Sequence, residues 1–454
     1  MKILWFRRDL RIKDNPLLAQ EGGVLPIFIF DTNILDSLER NDRRVSFLFD
    51  TVMRLKFKLK TMGLELAVFY GKPVDVFSYL MQFNPSEVVA SGDYDSYAME
   101  RDIEVSQILP FRYMYDTYIY EPEEVVKSDG TPYELFTPFY KKAKESFNAK
   151  HLKEYARAEN YLFSFEYDKL HHISEKGLFL MLNVIESFGF VRVPYEIEPL
   201  DMLLDGLSGK LDSYEHDRDF PALDATSHLS VHLRFGILGI RQLLRFLITC
   251  SREGIETESF FRQLVFRDFY AYLLYHFPNL ETENFRYPFT GMEDEEKYRA
   301  FCKGRTGVPI VDAGVRELLS TGKMHNRVRM VCASFFTKDL LLPWQWGEAF
   351  FAKHLFDYDK ASNVLSWQWS SGTGVDPQPY FRIFNPYLQA KKFDKDAVYI
   401  KKWVKELRDL KARECYDESY LLTSALKDYV KPIVEHKKAS EIAKQYFAEC
   451  LKKV

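Results

Sequence analysis

The hydrophobic period of this chain changes once along its length, and that change limits the available folds more than any other feature. Over the first 120 residues, β-rich apolar runs stand at Ile3–Phe6, Val24–Phe30, Glu65–Tyr70 and Glu87–Ser91. Between them, Arg43–Lys60 places Phe47, Val52, Leu55 and Leu59 near helical spacing. Strands separated by helices predict βαβ units and a parallel, Rossmann-like sheet. After Pro199 strand alternation largely disappears. His232–Leu247, Glu258–His276, Val311–Leu319, Met324–Leu340 and Trp344–Leu355 are apolar with helical periodicity, which predicts an all-α second half. In between, Pro122, Gly130, Pro132, Pro138 and Pro194 punctuate short amphipathic pieces such as Ser174–Phe188 and read as a connector. The expected organisation is an α/β domain over 1–120, a connector over 121–196 and a helical domain over 197–454.

Composition narrows the function. Aromatic residues make up 16% of the 454, more than packing alone requires, and suggest either a stacked flat ligand or electrons moving through rings. The 62 basic and 66 acidic side chains give a formal charge of −4, so nucleic acid would have to be met by a local basic patch. The five cysteines are scattered without a CxxC spacing, which excludes a disulfide framework and a simple cysteine-based metal site. No stretch approaches the roughly 18 uncharged apolar residues of a membrane span. A cytoplasmic, monomeric protein with no membrane partner is expected. The turns carry neither GxGxxG nor GxxxxGK, so any nucleotide-like ligand needs another phosphate cradle.

Three constellations carry chemistry. Thr226-Ser227-His228-Leu229-Ser230 precedes an apolar helix. Hydroxyls and free amides at a helix start suit either a simple cap or a phosphate. In Gly322–Met330, Lys323, His325, Arg327 and Arg329 arrive without an acid, and Asn326 and Met330 share a face. In Asp357–Asn363, the paired aspartates lack the glycine and terminal glutamate of a calcium loop, and no metal site is expected. Their carboxylates can instead accept from ring N–H and ribose hydroxyl groups, and Asn363 can meet the edge of a heterocycle.

Longer motifs resemble one family. Leu4-Trp5-Phe6-Arg7-Arg8-Asp9-Leu10-Arg11 with Asp14-Asn15-Pro16-Leu17 resembles the opening of the photolyase/cryptochrome family. Gly304–Ala313, Met324–Met330 and Trp367-Gln368-Trp369 leading to Pro379–Pro386 follow in family order. The resemblance is closest to class I cyclobutane pyrimidine dimer photolyases. It implies FAD held in a U shape in the helical domain. By motif position the FAD residues are Tyr214, Thr226, Ser227, His228, Leu229, Ser230, Phe260, Arg329, Asp357, Asp359 and Asn363, with Asn363 opposite flavin N5. It further implies that a flipped dimer in damaged DNA receives an electron from photoexcited reduced FAD. Arg218, Gln263, Phe266, Arg267, Asn326, Arg327, Met330, Trp369 and Gln389 match lesion- or DNA-contacting positions, with Lys391 and Lys392 extending the basic rim. Trp367 and Trp344 match the inner and middle positions of an electron relay.

The chain departs from that pattern in four places. Gln263 stands where dimer-repair members carry Glu, and Phe266 where they carry Trp. The outer relay tryptophan, expected near Phe289 to Met292, is absent, with Tyr287 and Tyr298 as substitutes. Tyr97-Ala98 replaces the Asn-Glu of the folate-antenna signature, so a second chromophore is expected to be a deazaflavin or a flavin in preference to methenyl-folate. The first two changes leave room for a rival reading, a cryptochrome-like blue-light receptor without repair activity.

Overall fold

The computed structural model describes residues 1–162 and 184–452. Two compact units emerge. One comprises Met1–Thr131, Tyr140–Ser208 and His228–Asp268, and the other Pro132–Phe139, Gly209–Ser227 and Phe269–Val454.

The first unit is built on a parallel sheet. Its strands are β1 (Lys2–Phe6), β2 (Gly22–Asp31), β3 (Ala67–Gly71), β4 (Glu87–Ser91) and β5 (Phe111–Met114), in spatial order β3-β2-β1-β4-β5. Leu4 pairs with Pro26 on one side and Val89 on the other. A short β6 (Asn160–Leu162) joins the start of β2. Ile3, Leu4, Trp5 and Phe6 are all buried, because a parallel sheet is covered on both faces and its strands read as continuous apolar runs. Period two then sorts them. Leu4, Phe6, Phe28 and Phe30 pack with Val52 and Leu55 of the Arg43–Thr61 helix, whereas Ile3, Trp5, Ile27 and Phe69 pack with Val76, Phe77 and Val105. Strand order reverses between β1 and β4, where open α/β sheets place a ligand crevice.

The four strands read from the sequence and the helix at Arg43–Lys60 form within a residue or two of expectation. β5 and β6 were not legible: one is four residues, none of them buried, the other three residues long. Of the amphipathic piece expected at Ser174–Phe188, residues 174–183 lie outside the described residues; Ile185–Phe188 is a 3₁₀ turn. The helix expected over His232–Leu247 is two helices, Ser230–Arg234 and Ile240–Arg252. The break is at Gly236, whose φ of 62° is left-handed and where a Cβ would meet the Arg8 carbonyl.

The second unit is helical, with Glu295–Cys302, Pro309–Thr321, Asn326–Ser334, Trp344–His354, Lys360–Ser371, Pro386–Phe393 and His436–Leu451 as main elements. The segment expected as one helix over Met324–Leu340 starts at Asn326 and loosens into a π-turn at Phe335–Asp339. Among the described residues no helix is long and apolar enough to cross a membrane. The packing units differ from the 1–120, 121–196, 197–454 division, because periodicity marks changes of local pattern while packing follows long-range bonds. Asp268, for example, accepts from the backbone N–H of Ile119 and Tyr120.

Candidate functional site

In the helical unit, the Lys360–Ser371 helix carries the densest group. Asp359 is its N-cap and accepts from Ser362 N at 3.1 Å, which fixes the first turn. Asp359, Asn363 and Trp367 are four apart and therefore share one face. All three are buried. Asn363 Nδ2 donates to the Glu348 carboxylate at 2.9 Å and to the Glu348 carbonyl at 3.1 Å. Its two N–H groups are thus engaged, while Oδ1 meets no donor among the described residues. Glu348 also accepts from Tyr358 Oη at 3.3 Å, and burial raises its carboxyl above the usual range. Sequence reasoning missed Glu348. The signal available was its place just after Trp344, fifteen residues before Asn363, but nothing in the local pattern tied the two together.

Trp367 is 1% exposed and lies edge-on to Phe351 and Phe336, at 4.9 and 5.4 Å between ring centres. A Cβ at Gly347 would collide with its indole, so the close approach of the neighbouring helix requires glycine there. Trp344 is buried, and its indole N–H donates to Asn284 Oδ1 at 2.7 Å. Trp369 is half-buried.

The Asn326–Ser334 helix brings a second group. Arg329 Nη2 donates to both Asp357 oxygens at 3.1 Å, and Nε donates to Met324 O at 2.8 Å. Asn326 is exposed, and its amide lies 3.8 Å from Met330 Sδ, on the shared face. Arg327 is engaged: Nη2 reaches Asp219 Oδ2 at 2.5 Å, and the guanidinium lies 4.3 Å from the Phe393 ring. The guanidinium of Arg218 lies 5.8 Å from the ring of buried Tyr214. Gln389 is half-buried, with Oε1 unpartnered among the described residues. Thr226 and Ser227 are half-buried, and the Thr226 carbonyl accepts from Lys210 Nζ at 3.1 Å. Lys391 and Lys392 are exposed.

In the sheet-bearing unit, His228 has a left-handed φ of 53°, rare for a residue with a side chain and the kind of backbone strain that gathers at ligand loops. Leu229 caps the short helix that Ser230 opens. The Glu258–His276 helix carries Phe260, buried, and Gln263 and Phe266, half-buried. Gln263 Nε2 makes a long bond of 3.4 Å to Ser259 O. Arg267 Nη1 donates to Thr117 O at 2.7 Å and the guanidinium lies 4.4 Å from the Tyr118 ring, while Nη2 has no partner among the described residues.

The strand ends of the same unit hold a polar group. Tyr97 donates to Asp31, the last residue of β2, at 2.5 Å, and burial raises the Asp31 carboxyl. The guanidinium groups of Arg7 and Arg101 each lie 4.8 Å from the Trp5 ring, and both pair with Asp102. This is the neighbourhood in which the folate signature is replaced.

Residues 2–157 match the family described as DNA photolyase, and residues 260–449 match the FAD binding domain of DNA photolyase. A protein of Alkalihalophilus pseudofirmus named deoxyribodipyrimidine photo-lyase is 33% identical over 98% of both chains. The Escherichia coli protein of the same name is 32% identical over 96% of both. Among solved structures, a class III photolyase from Agrobacterium tumefaciens superposes with a TM-score of 0.85 at 31% identity, covering 99% of this chain and 98% of that one. An archaeal photolyase from Sulfolobus tokodaii described with two FAD molecules gives 0.82 at 29%, covering 99% of each. A Synechocystis cryptochrome gives 0.84 at 22% identity, over 98% of each chain, which is a likeness of fold.

Proposed function

The chain belongs to the DNA photolyase family, and from that premise we propose that it repairs cyclobutane pyrimidine dimers in DNA with light, using FAD. The observation that carries the reading is the single face formed by Asp359, Asn363 and Trp367: a buried acceptor, an amide with its oxygen left open, and an oxidisable indole.

The residues fit FAD. Open Asn363 Oδ1 needs a donor, and a reduced flavin offers one at N5. The strained backbone at His228, with Thr226, Ser227 and Ser230 around it, suits a pyrophosphate. Tyr214, Leu229, Phe260, Arg329, Asp357 and Asp359 complete the set that would hold it. When bound, reduced FAD supplies the photoexcited electron that opens the dimer and recovers it afterwards. The chain's own part is to orient and to exclude water. Arg329, fixed by Met324 O, holds Asp357 in place. Glu348 keeps the Asn363 amide in one orientation. Trp369 and Met330 would receive the flipped lesion, with Gln263 bonding to its carbonyls through an amide that both donates and accepts. Arg218, Arg327, Asn326, Gln389, Lys391 and Lys392 would meet the DNA backbone. Arg327 would exchange Asp219 for a phosphate.

A second chromophore, a deazaflavin or a flavin, would sit at the strand ends near Asp31 and Tyr97; the Sulfolobus tokodaii photolyase described with two FAD molecules supports a flavin. Gln263 and Phe266 favour a second reading, a blue-light receptor that keeps FAD and Trp367 and has no repair activity. Equilibrium binding in the dark tests the proposal. A duplex carrying one dimer should be held at least about tenfold more tightly than the undamaged duplex, as one lost stacking contact of roughly 1–3 kcal/mol implies. Equal affinities would support the receptor.

A further inference from the structure

The ring contacts around Trp367 run to the surface by way of residues outside the expected relay. Phe336 is fully buried and packs edge-on to Trp367 at 5.4 Å and 80°. Tyr298, on the Glu295–Cys302 helix, lies edge-on to Phe336 at 6.2 Å and 81°. Trp346, on the Trp344–His354 helix, lies edge-on to Tyr298 at 5.2 Å and 64°. Both outer rings are half-buried. The other outer candidate, Tyr287, packs on Phe289, and through it on Tyr380 and Phe447. Among the described residues that ring path does not reach Trp367.

We propose that Trp346 is the outer electron donor of this chain, refilling Trp367 across Tyr298 and Phe336. The proposal rests on the reading that FAD binds and that Trp367 reduces it. The driving force is solvation. A positive charge left on an indole with 1% exposure is costly, and the same charge on a half-buried indole is partly solvated. Phe336 has no easily oxidised group, so it serves as a bridge. Tyr298 is a poor end point, because a phenol oxidised at neutral pH must lose its proton. Its hydroxyl interacts with the Cys302 thiol, which burial pushes up to about 11 and so keeps protonated and a weak acceptor. Trp344 is a poor end point too. Its N–H proton is held by the Asn284 amide oxygen, away from water.

The electrons and protons balance. One electron leaves Trp367 for the photoexcited oxidised flavin, and one electron then moves from Trp346 to Trp367. The one-electron-oxidised Trp346 gives its indole N–H proton to water. An external thiol returns one electron and one proton to Trp346.

Flash photolysis of the FAD-loaded protein without thiol tests this, with electron paramagnetic resonance identifying the trapped radical. Wild type should leave a long-lived deprotonated tryptophan radical whose hyperfine lines change on Trp labelling with deuterium. Trp346→Phe should shorten the lifetime of charge separation at least about tenfold and remove that radical, with FAD content unchanged. Trp346→Tyr should replace it by a tyrosine radical, which a merely structural role would not do. Tyr298→Phe keeps the ring and should keep the tryptophan radical, whereas Tyr298→Ala should lose it. An unchanged lifetime and radical in Trp346→Phe overturns the proposal. If Trp367→Phe also photoreduces normally, the underlying reading of Trp367 has failed; if Trp367→Phe is slow and Trp346→Phe is normal, only the Trp346 assignment has.

Discussion

Glu348 holds the side-chain amide of Asn363 by two bonds, one to its carboxylate at 2.9 Å and one to its own backbone carbonyl at 3.1 Å. The amide therefore has one orientation, with the oxygen left for a ligand. Glu348→Ala removes the carboxylate, and a buried N–H left unpaired costs about 1–3 kcal/mol. The amide can then turn and present N–H, which opposes the N–H of a reduced flavin. Titrating flavin-free protein with oxidised and with reduced FAD should show the variant losing preference for the reduced form by roughly tenfold or more. An unchanged ratio would show that Glu348 does not set the orientation.

Asp359→Ala should release FAD. The carboxylate caps its own helix, so the variant also loses about 1 kcal/mol of stability from the missing cap. Purified protein should be colourless yet folded, with a melting temperature only a few degrees lower. Retention of stoichiometric FAD would remove Asp359 from the binding set.

Trp367→Phe keeps most of the packing against Phe336 and Phe351 and removes the oxidisable indole. FAD should stay bound, and photoreduction of oxidised FAD should slow by at least about a hundredfold, a barrier rise of roughly 3 kcal/mol. Loss of flavin would instead mark Trp367 as structural.

Asp268 is buried, and burial pushes its carboxyl up to about 7. The folded state then holds a proton that the unfolded chain releases near pH 4, so between about pH 4 and pH 7 the folded form binds more protons and stability falls as pH rises. The fall is at most about 4 kcal/mol. Asp268→Asn keeps an acceptor for Ile119 and Tyr120 and removes the titration, so thermal unfolding against pH should flatten across that window. Parallel curves for the two proteins would assign the dependence elsewhere.

What could be read from the sequence was what local pattern encodes. Ile3–Phe6 and Val24–Phe30 announce buried parallel strands, and Glu258–His276 forms with the expected bounds. Asp357, Asp359 and Asn363 were legible as a cluster because they sit within seven residues, and the structure pairs Arg329 with Asp357. Glu348 and Trp346 were not, since their importance lies in contacts with Asn363 and Tyr298 that no spacing rule joins. The break at Gly236 was hidden for the same reason: its cause is the approach of the Arg8 backbone, more than two hundred residues earlier. Arg267 looked like a DNA contact by position, and no local spacing showed that its Nη1 bonds to the Thr117 carbonyl beside the Tyr118 ring while Nη2 has no partner among the described residues.

The lesion pocket has its own prediction. Trp369→Ala should reduce the preference for damaged over undamaged DNA by about ten- to a hundredfold, since a base stacked on an aromatic ring gains roughly 1–3 kcal/mol. The slope of log affinity against log salt, about −0.9 per phosphate neutralised, should stay nearly the same because the basic rim is untouched. A change in slope with no change in preference would place Trp369 against the backbone and away from the lesion.

The most direct measurement follows dimers in ultraviolet-irradiated DNA after mixing with protein that has been purified in the dark and reduced, with and without blue light. Gln263→Glu, which restores the carboxyl that the chain lacks, is run beside wild type. The account predicts light-dependent loss of dimers with wild type, none in the dark, and a higher yield in the variant. Dimers that persist in the light with both proteins, together with equal affinity for damaged and undamaged DNA, would contradict repair and leave the blue-light receptor as the function of this fold.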